Sequence, residues 1–408
     1  MKIAFITSLD RGIPLFLLNE INYYLDHGVN GRVFFVMKRK GTYMPPPDWT
    51  QHYMHPLKTL LAQLPAFLKN PARYISLLPT ALRTRTLFEF MIAWEFAEKM
   101  HDCERIHAFF ADHKLVIGYY CKQILGRKLS CSVYGYDVYI PKNRALIKQI
   151  YKEIDFVVAT NLLFAKMLQN EFEVPPEKIV LARTVVDLEK YSNARKYTAP
   201  LQKVNAAIAS AGNKFKILVV ARLVYRKGIH VLIRAVSKIN ERADIVLWIV
   251  GDGVERRKLE QLAEKLGIAK NVVFFGSLSV ENLLPLYQNC DLYCQPSITD
   301  PSGDKEGLPV AMTEAMAFEK PVIATDHADI PNVLDEIIVP ENDADALALA
   351  IRKVMEMPAE KRLVLGRRNR EIVEREFSER NYEIVLERFR ENPTSSLSPS
   401  PSKIHSKI

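Results

Sequence analysis

Short runs of β-branched and aromatic residues alternate with helix-length segments along almost the whole of this chain. Such alternation builds parallel sheets, because parallel neighbours need a crossover segment between them. In the first half, candidate strands fall at 2–7, 32–37, 105–110, 129–134, 156–159 and 179–181. In the second half they fall at 216–221, 245–250, 272–275, 292–294, 321–324 and 337–339. The pattern predicts an α/β protein with two Rossmann-like, doubly wound domains facing a cleft. The first covers 1–192 and the second 214–377, with a polar linker at 193–213. A helical pattern at 378–392 is expected to cross back to the first domain, and the Ser-, Pro- and Lys-rich tail 393–408 to be disordered.

Charge separates the halves. Residues 1–200 hold 27 Lys and Arg against 18 Asp and Glu; residues 201–408 hold 29 of each. The whole net charge of +9 therefore sits in the first half, which suits a polyanionic partner. No nucleic-acid motif accompanies it, leaving an anionic membrane surface or a merely solvated basic face as the readings. The segment 57–100 supports this reading, as Leu, Phe and Trp there are interspersed with Lys58, Lys69, Arg73, Arg83 and Arg85. It reads as two or three amphipathic helices able to face a bilayer. No run is long enough to span one, and the first apolar run ends at Asp10-Arg11, as a strand and not a signal peptide. The five cysteines form no Cys-x-x-Cys pair, which suggests buried, reduced thiols in a cytoplasmic protein.

Glu306 and Glu314 stand eight apart in an otherwise small and apolar segment. Pro309 fits the first position of a buried helix, placing Glu306 in the loop before it and Glu314 within it. A carboxylate in such a setting needs a partner. The pair could accept hydroxyl protons from a ligand whose phosphate meets the helix N-terminus. Arg222 and Lys227 flank one loop at the carboxyl end of a strand, where two cations suit a diphosphate. Gly251-Asp252-Gly253 follows another strand and resembles a nucleotide-binding turn. It is not Gly-x-Gly-x-x-Gly, and neither a phosphate-binding Gly-x-x-x-x-Gly-Lys loop nor a Gly-x-Ser-x-Gly elbow occurs; dehydrogenase, kinase and serine-hydrolase readings are disfavoured.

These pieces appear in one order. Val220-Ala221-Arg222-Leu223 precedes Arg226-Lys227-Gly228, Val250-Gly251-Asp252-Gly253 and Phe275-Gly276. Then come Cys290-Asp291-Leu292 with Gln295-Pro296-Ser297, Glu306-Gly307-Leu308-Pro309 with Glu314-Ala315-Met316-Ala317, and Lys320-Pro321-Val322-Ile323-Ala324-Thr325. The ordered set resembles the donor domain of retaining glycosyltransferase family 4, which has the GT-B fold. The run from Asp300 to Gly307 resembles its colanic-acid-type exopolysaccharide branch. Phe16-Leu17-Leu18-Asn19-Glu20 and His107-Ala108-Phe109-Phe110-Ala111 are similar to that branch more loosely.

The resemblance implies transfer of a sugar from a UDP- or GDP-linked donor to a saccharide or lipid-linked saccharide, with retention and without a metal or other cofactor. With such an acceptor, the basic first half and the 57–100 region suit a cytoplasmic protein that could sit peripherally on the inner face of the cell membrane. Arg222 and Lys227 would neutralise the leaving diphosphate, and Glu306 would bind sugar hydroxyls. The N–H groups around Gly307, Leu308 and Pro309, with Gly251 nearby, would hold sugar and phosphate. Glu314 would accept from the ribose. The chain departs from the branch at Tyr134-Gly135-Tyr136-Asp137, where a His usually stands at the Tyr134 position; Asp137 would orient the acceptor. It also has Ala328-Asp329-Ile330-Pro331-Asn332 for the usual Gly-Gly-Ile-Pro-Glu. Those departures imply, as the alternative, a related protein that binds nucleotide-sugar without turnover.

Overall fold

The computed structural model describes residues 1–10, 12–41, 43–139, 143–189, 201–239, 244–334 and 337–391. The chain divides into two compact units, one of residues 1–185 with the segment from Arg380 onward, the other Val186–Glu379. The expected tail and residues 190–200 lie outside the described residues.

The first unit holds a seven-stranded sheet, ordered β3-β2-β1-β4-β5-β6-β7. Its strands are β1 (Lys2–Leu9), β2 (Asn30–Lys38), β3 (Thr50–Tyr53), β4 (Arg105–Phe109), β5 (Lys128–Val133), β6 (Phe156–Ala159) and β7 (Ile179–Leu181). Every pairing is parallel. Alternate residues of a strand point to opposite faces, so each strand feeds two cores. Ala4 and Ile6 join Phe34, Ile106 and Leu129 on one side. Ile3 and Phe5 join Val33, Phe35, Phe156 and Val158 on the other. The C-terminal helix, Arg380–Arg390, closes that second core with Tyr382, Val385, Leu386 and Phe389, as the sequence led us to expect. All five cysteines are buried free thiols.

The second unit holds a six-stranded parallel sheet, ordered β10-β9-β8-β11-β12-β13. Its strands are β8 (Phe215–Val220), β9 (Ile245–Val250), β10 (Val272–Gly276), β11 (Leu292–Gln295), β12 (Val322–Thr325) and β13 (Ile338–Val339). In each sheet the strand order reverses direction once, between β1 and β4 and between β8 and β11. Ligands of doubly wound sheets bind beyond the carboxyl ends at such points.

Four details differ from the sequence reading. The expected linker contains a helix, Gln202–Ala211, whose Val204, Ala207 and Ala211 are buried in the second unit. β3 is an additional edge strand. Pro309 stands just before its helix, Val310–Ala317, with ψ 115°, and not inside it. The segment 57–100 forms four helices, Pro56–Leu61, Gln63–Lys69, Pro71–Arg83 and Leu87–Met100.

Candidate donor and acceptor sites

The loops beyond β8 and β11 are pressed together by a glycine. Gly228 has φ +64°, and a Cβ there would lie 1.7 Å from the Pro296 carbonyl oxygen. Only glycine satisfies both the left-handed backbone and that approach. The chain before Gly228 makes a short turn, Tyr225–Lys227, and the next helix runs Ile229–Ile239. The approach is locked by Ile298 N–H donating to the Arg226 carbonyl at 2.8 Å. The result is a juxtaposition of residues from distant stretches: Lys227 forms a buried ion pair with Glu306, and Arg226 pairs with Asp304 at 2.5 Å.

Glu306 is 8% exposed. Burial pushes its carboxyl up, but Lys227, with hydrogen bonds from Lys227 and Ser297, more than offsets this and holds it below the usual carboxylate range. Ser297 Oγ donates to Glu306 Oε1 at 2.6 Å, Gln295 Nε2 to Ser297 Oγ at 2.8 Å, and Tyr293 Oη to Gln295 Oε1 at 2.9 Å. A chain of side chains thus runs from inside β11 to the Glu306 carboxylate. Glu314 sits in its helix as expected and is half-buried. Tyr287 is a partner the sequence did not suggest: its hydroxyl donates to Glu314 Oε2 at 2.8 Å. Arg222 is exposed in the loop after β8. Gly251, with φ +128°, ends β9, where a Cβ would lie 1.8 Å from the Ala221 carbonyl oxygen. Gly307 and Leu308, half-exposed, link Glu306 to Pro309. The second unit therefore brings Arg222, Lys227, Glu306 and Gly251 to the ends of β8, β9 and β11.

Sequence reasoning missed His327 and Glu341. Glu306 N–H donates to His327 Nε2 at 3.0 Å, and His327 Nδ1 lies 2.7 Å from Glu341 Oε1. An Nε2 that accepts leaves the ring proton on Nδ1, so the contacts fix the tautomer. One Asp-x-Asp spacing occurs in the second half, Asp343-Ala344-Asp345. It serves as a helix cap: Asp343 Oδ1 accepts from Asp345 N–H and Ala346 N–H.

In the first unit, Tyr134 follows β5 and its hydroxyl donates to Glu20 Oε2 at 2.9 Å. Tyr24 Oη donates to Glu20 Oε1 at 2.9 Å. Burial raises the Glu20 carboxyl to about 7 against the lowering effect of both phenols. Burial and then the Glu20 charge push the Tyr134 phenol well above its usual range. The Tyr134 ring lies between Phe16 and Phe110, with centroids 5.0 and 4.8 Å away. Phe110 has φ +75°, an outlier for a bulky residue, at the end of β4. Glu20, Tyr24, Tyr134, Thr160, Arg183 and Asn381 are among the residues lining a cavity of about 10 Å³ beyond β5, β6 and β7. Asp137 is not arranged to meet an acceptor. It is 1% exposed, and its carboxylate accepts from the N–H groups of Ala111 (2.9 Å), Gly135 (2.8 Å) and Tyr134 (3.3 Å). It holds the loops after β4 and β5. His107 is fully buried between Ser130 and Ser132, and burial lowers it to about 3, so it stays neutral in the sheet.

Residues 202–372 match the family model of the glycosyl transferases group 1, so the second unit carries a domain of that class. A putative colanic acid biosynthesis glycosyltransferase of Escherichia coli, WcaL, is 31% identical over 237 residues, 57% of this chain and 55% of that one. A GDP-mannose-dependent α-(1-6)-phosphatidylinositol monomannoside mannosyltransferase of Mycolicibacterium smegmatis is 27% identical over 267 residues, 63% of this chain and 69% of that one. The matches span about half the length of the first curated relatives. The crystal structure of Anabaena HepE in complex with UDP superposes with a TM-score of 0.71 at 18% identity, covering 95% of this chain and 99% of that one. The fold is that of GT-B glycosyltransferases.

Proposed function

We propose that the protein transfers a sugar from a UDP- or GDP-linked donor to a hydroxyl of a saccharide or lipid-linked saccharide, in exopolysaccharide or glycolipid assembly. The observation that carries this is the Lys227–Glu306 pair beyond β8 and β11. A diphosphate would compete for Lys227 with Arg222 beside it, and sugar hydroxyls would then donate to the released Glu306. The Glu314 carboxylate would accept from ribose hydroxyls. The C1–phosphate bond breaks, the acceptor oxygen bonds to C1 on the same face, and its proton leaves on the phosphate oxygen. No protein nucleophile and no metal is required, since the cations offset the leaving charge. The relatives' names, for colanic acid and phosphatidylinositol mannoside, support the choice of acceptor class.

Calorimetric titration with UDP, GDP and their sugar conjugates, with EDTA present, tests the donor site. Saturable binding of one nucleotide, lost in Arg222→Ala and Glu314→Ala, is expected; no binding to any of them refutes it. A second reading, binding without turnover, is favoured by Tyr134, which stands where the resembled branch usually has His and whose hydroxyl is taken up by the buried Glu20. Turnover by the native protein eliminates that reading, and turnover gained only in Tyr134→His establishes it.

On the acceptor reading, the first unit works at the inner, anionic face of the membrane. Among the described residues no helix is long and apolar enough to cross it. Ten of the eighteen exposed large hydrophobics among the described residues lie between Leu57 and Phe88, including Leu60, Leu61, Leu64 and Leu68. Between Asp48 and Glu89 the chain has five Lys and Arg and no acid. Leucines that insert and cations that meet phosphates suit an anionic bilayer. Co-sedimentation with phosphatidylglycerol vesicles, weakened in Leu64→Glu/Leu68→Glu, is expected; no binding at low salt removes the membrane from the proposal.

A further inference from the structure

Glu306 is held twice, and the second hold has no part in the chemistry above. Its carboxylate meets Lys227 and Ser297, while its own N–H ends on His327 Nε2 at 3.0 Å. His327 is fully buried, and its Nδ1 is anchored by Glu341 Oε1 at 2.7 Å. Glu341 is in turn fixed by Thr299, which donates from N–H at 2.7 Å and from Oγ1 at 3.1 Å. The four residues come from three loops: Thr299 and Glu306 from the one between β11 and the helix Val310–Ala317, His327 from beyond β12 and Glu341 from beyond β13. Ala328, next to His327, has φ +52°, a conformation alanine adopts only when its surroundings impose it. A backbone N–H pointed at a specific imidazole nitrogen cannot shift without leaving a buried donor unpaired.

We infer that His327 and Glu341 are positioning residues for the donor sugar: the Thr299–Glu341–His327 relay sets the Glu306 peptide, and so the carboxylate that meets the sugar hydroxyls. This rests on the donor reading of Glu306. Lys227 and Ser297 pull the side chain from one direction, and the relay fixes the main chain from another. With the main chain fixed, Glu306 can exchange Lys227 for a hydroxyl without the loop following the lysine.

Two variants separate the roles of the ring. His327→Gln places a carbonyl oxygen near Nε2 and keeps an acceptor for Glu306 N–H. His327→Asn places an amide near Nδ1, keeping the donor to Glu341 but losing that acceptor. Each is measured by titration with the free nucleoside diphosphate and with its sugar conjugate, and by amide exchange of the full chain. We expect His327→Asn to bind the free diphosphate normally, to lose about tenfold in the increment due to the sugar, and to exchange the Glu306 amide about tenfold faster. His327→Gln, which loses only the Glu341 anchor, should restore most of both. Equal loss of diphosphate and sugar conjugate, or failure of His327→Gln to restore the increment, would reduce the relay to a scaffold and overturn the inference. So would an unchanged Glu306 amide. The exchange arm needs no ligand: if the native protein binds no nucleotide, the donor reading and the sugar-positioning role fail together, while exchange still reports on the relay itself.

Discussion

Replacing Lys227 by methionine should be costly out of proportion to the single ion pair it removes. The Lys227 side chain is 14% exposed and that of Glu306 6%, so the substitution leaves a buried carboxylate facing a thioether. Breaking a buried pair from one side costs about 3–5 kcal/mol, because the remaining charge is uncompensated. At about 2–4 °C per kcal/mol for a unit of this size, the transition of the second unit should fall by about 10 °C in scanning calorimetry at pH 7. Lys227→Met/Glu306→Gln should recover most of that loss, since the charge is gone and the amide oxygen can still accept from Ser297. The pH dependence has a definite sign. In the native protein the Glu306 carboxyl is lowered, so its stabilisation is present above the ordinary carboxylate range and is lost as pH falls through the folded value. In Lys227→Met, the largest lowering partner is gone and burial outweighs the remaining Ser297 hydrogen bond, raising that value, so stability instead falls as pH rises. The gap between native and variant therefore widens from pH 4 to pH 7. A Lys227→Met protein that melts like the native one at pH 7, or a double variant that melts as low as the single, would refute the reasoning. Nucleotide binding separates structure from function: the double variant should regain stability without regaining affinity for a nucleoside diphosphate.

Two further outcomes can be checked with single variants. Glu20 has a folded value of about 7, above its ordinary 4.5, so the native protein loses stability as pH rises through that window. Urea unfolding of Glu20→Gln should show a stability relative to native that improves by about 2.5 kcal/mol between pH 5 and pH 8, and a constant difference would discount the shift. Gly228→Ala should cost more than about 3 kcal/mol by the same unfolding assay, because its Cβ would overlap the Pro296 carbonyl. Gly126→Ala, at a similar φ of +65° but with nothing within 4 Å, should cost only about 1–2 kcal/mol.

The strand pattern was legible because buried parallel strands read as unbroken apolar runs. β3 escaped because Thr50-Gln51-His52-Tyr53 forms a half-exposed edge with no apolar run to mark it. The helix Gln202–Ala211 carries an apolar spacing at Val204, Ala207 and Ala211, which its polar neighbours obscured. At the site, the residues between Arg222 and Glu314 could be read from their order along the chain. Their mutual partners could not: Lys227 and Glu306 are 79 positions apart, and Tyr134 and Glu20 are 114 apart. His327 and Glu341 carry no local signal, since their role exists only when three loops meet. Asp137 was expected to face an acceptor, but three backbone donors take its carboxylate inward.

The first unit takes its two pieces from opposite ends of the chain, with the whole of the second unit between them. On the ribosome, Phe5, Tyr24 and Phe156 must therefore wait for Tyr382 and Phe389, which pack against them, until the whole second unit has been synthesised. The second unit, continuous in sequence, can complete its sheet first. The apolar face that the helix Arg380–Arg390 covers stays open throughout that interval, making the nascent chain most exposed to aggregation and proteolysis until that helix emerges.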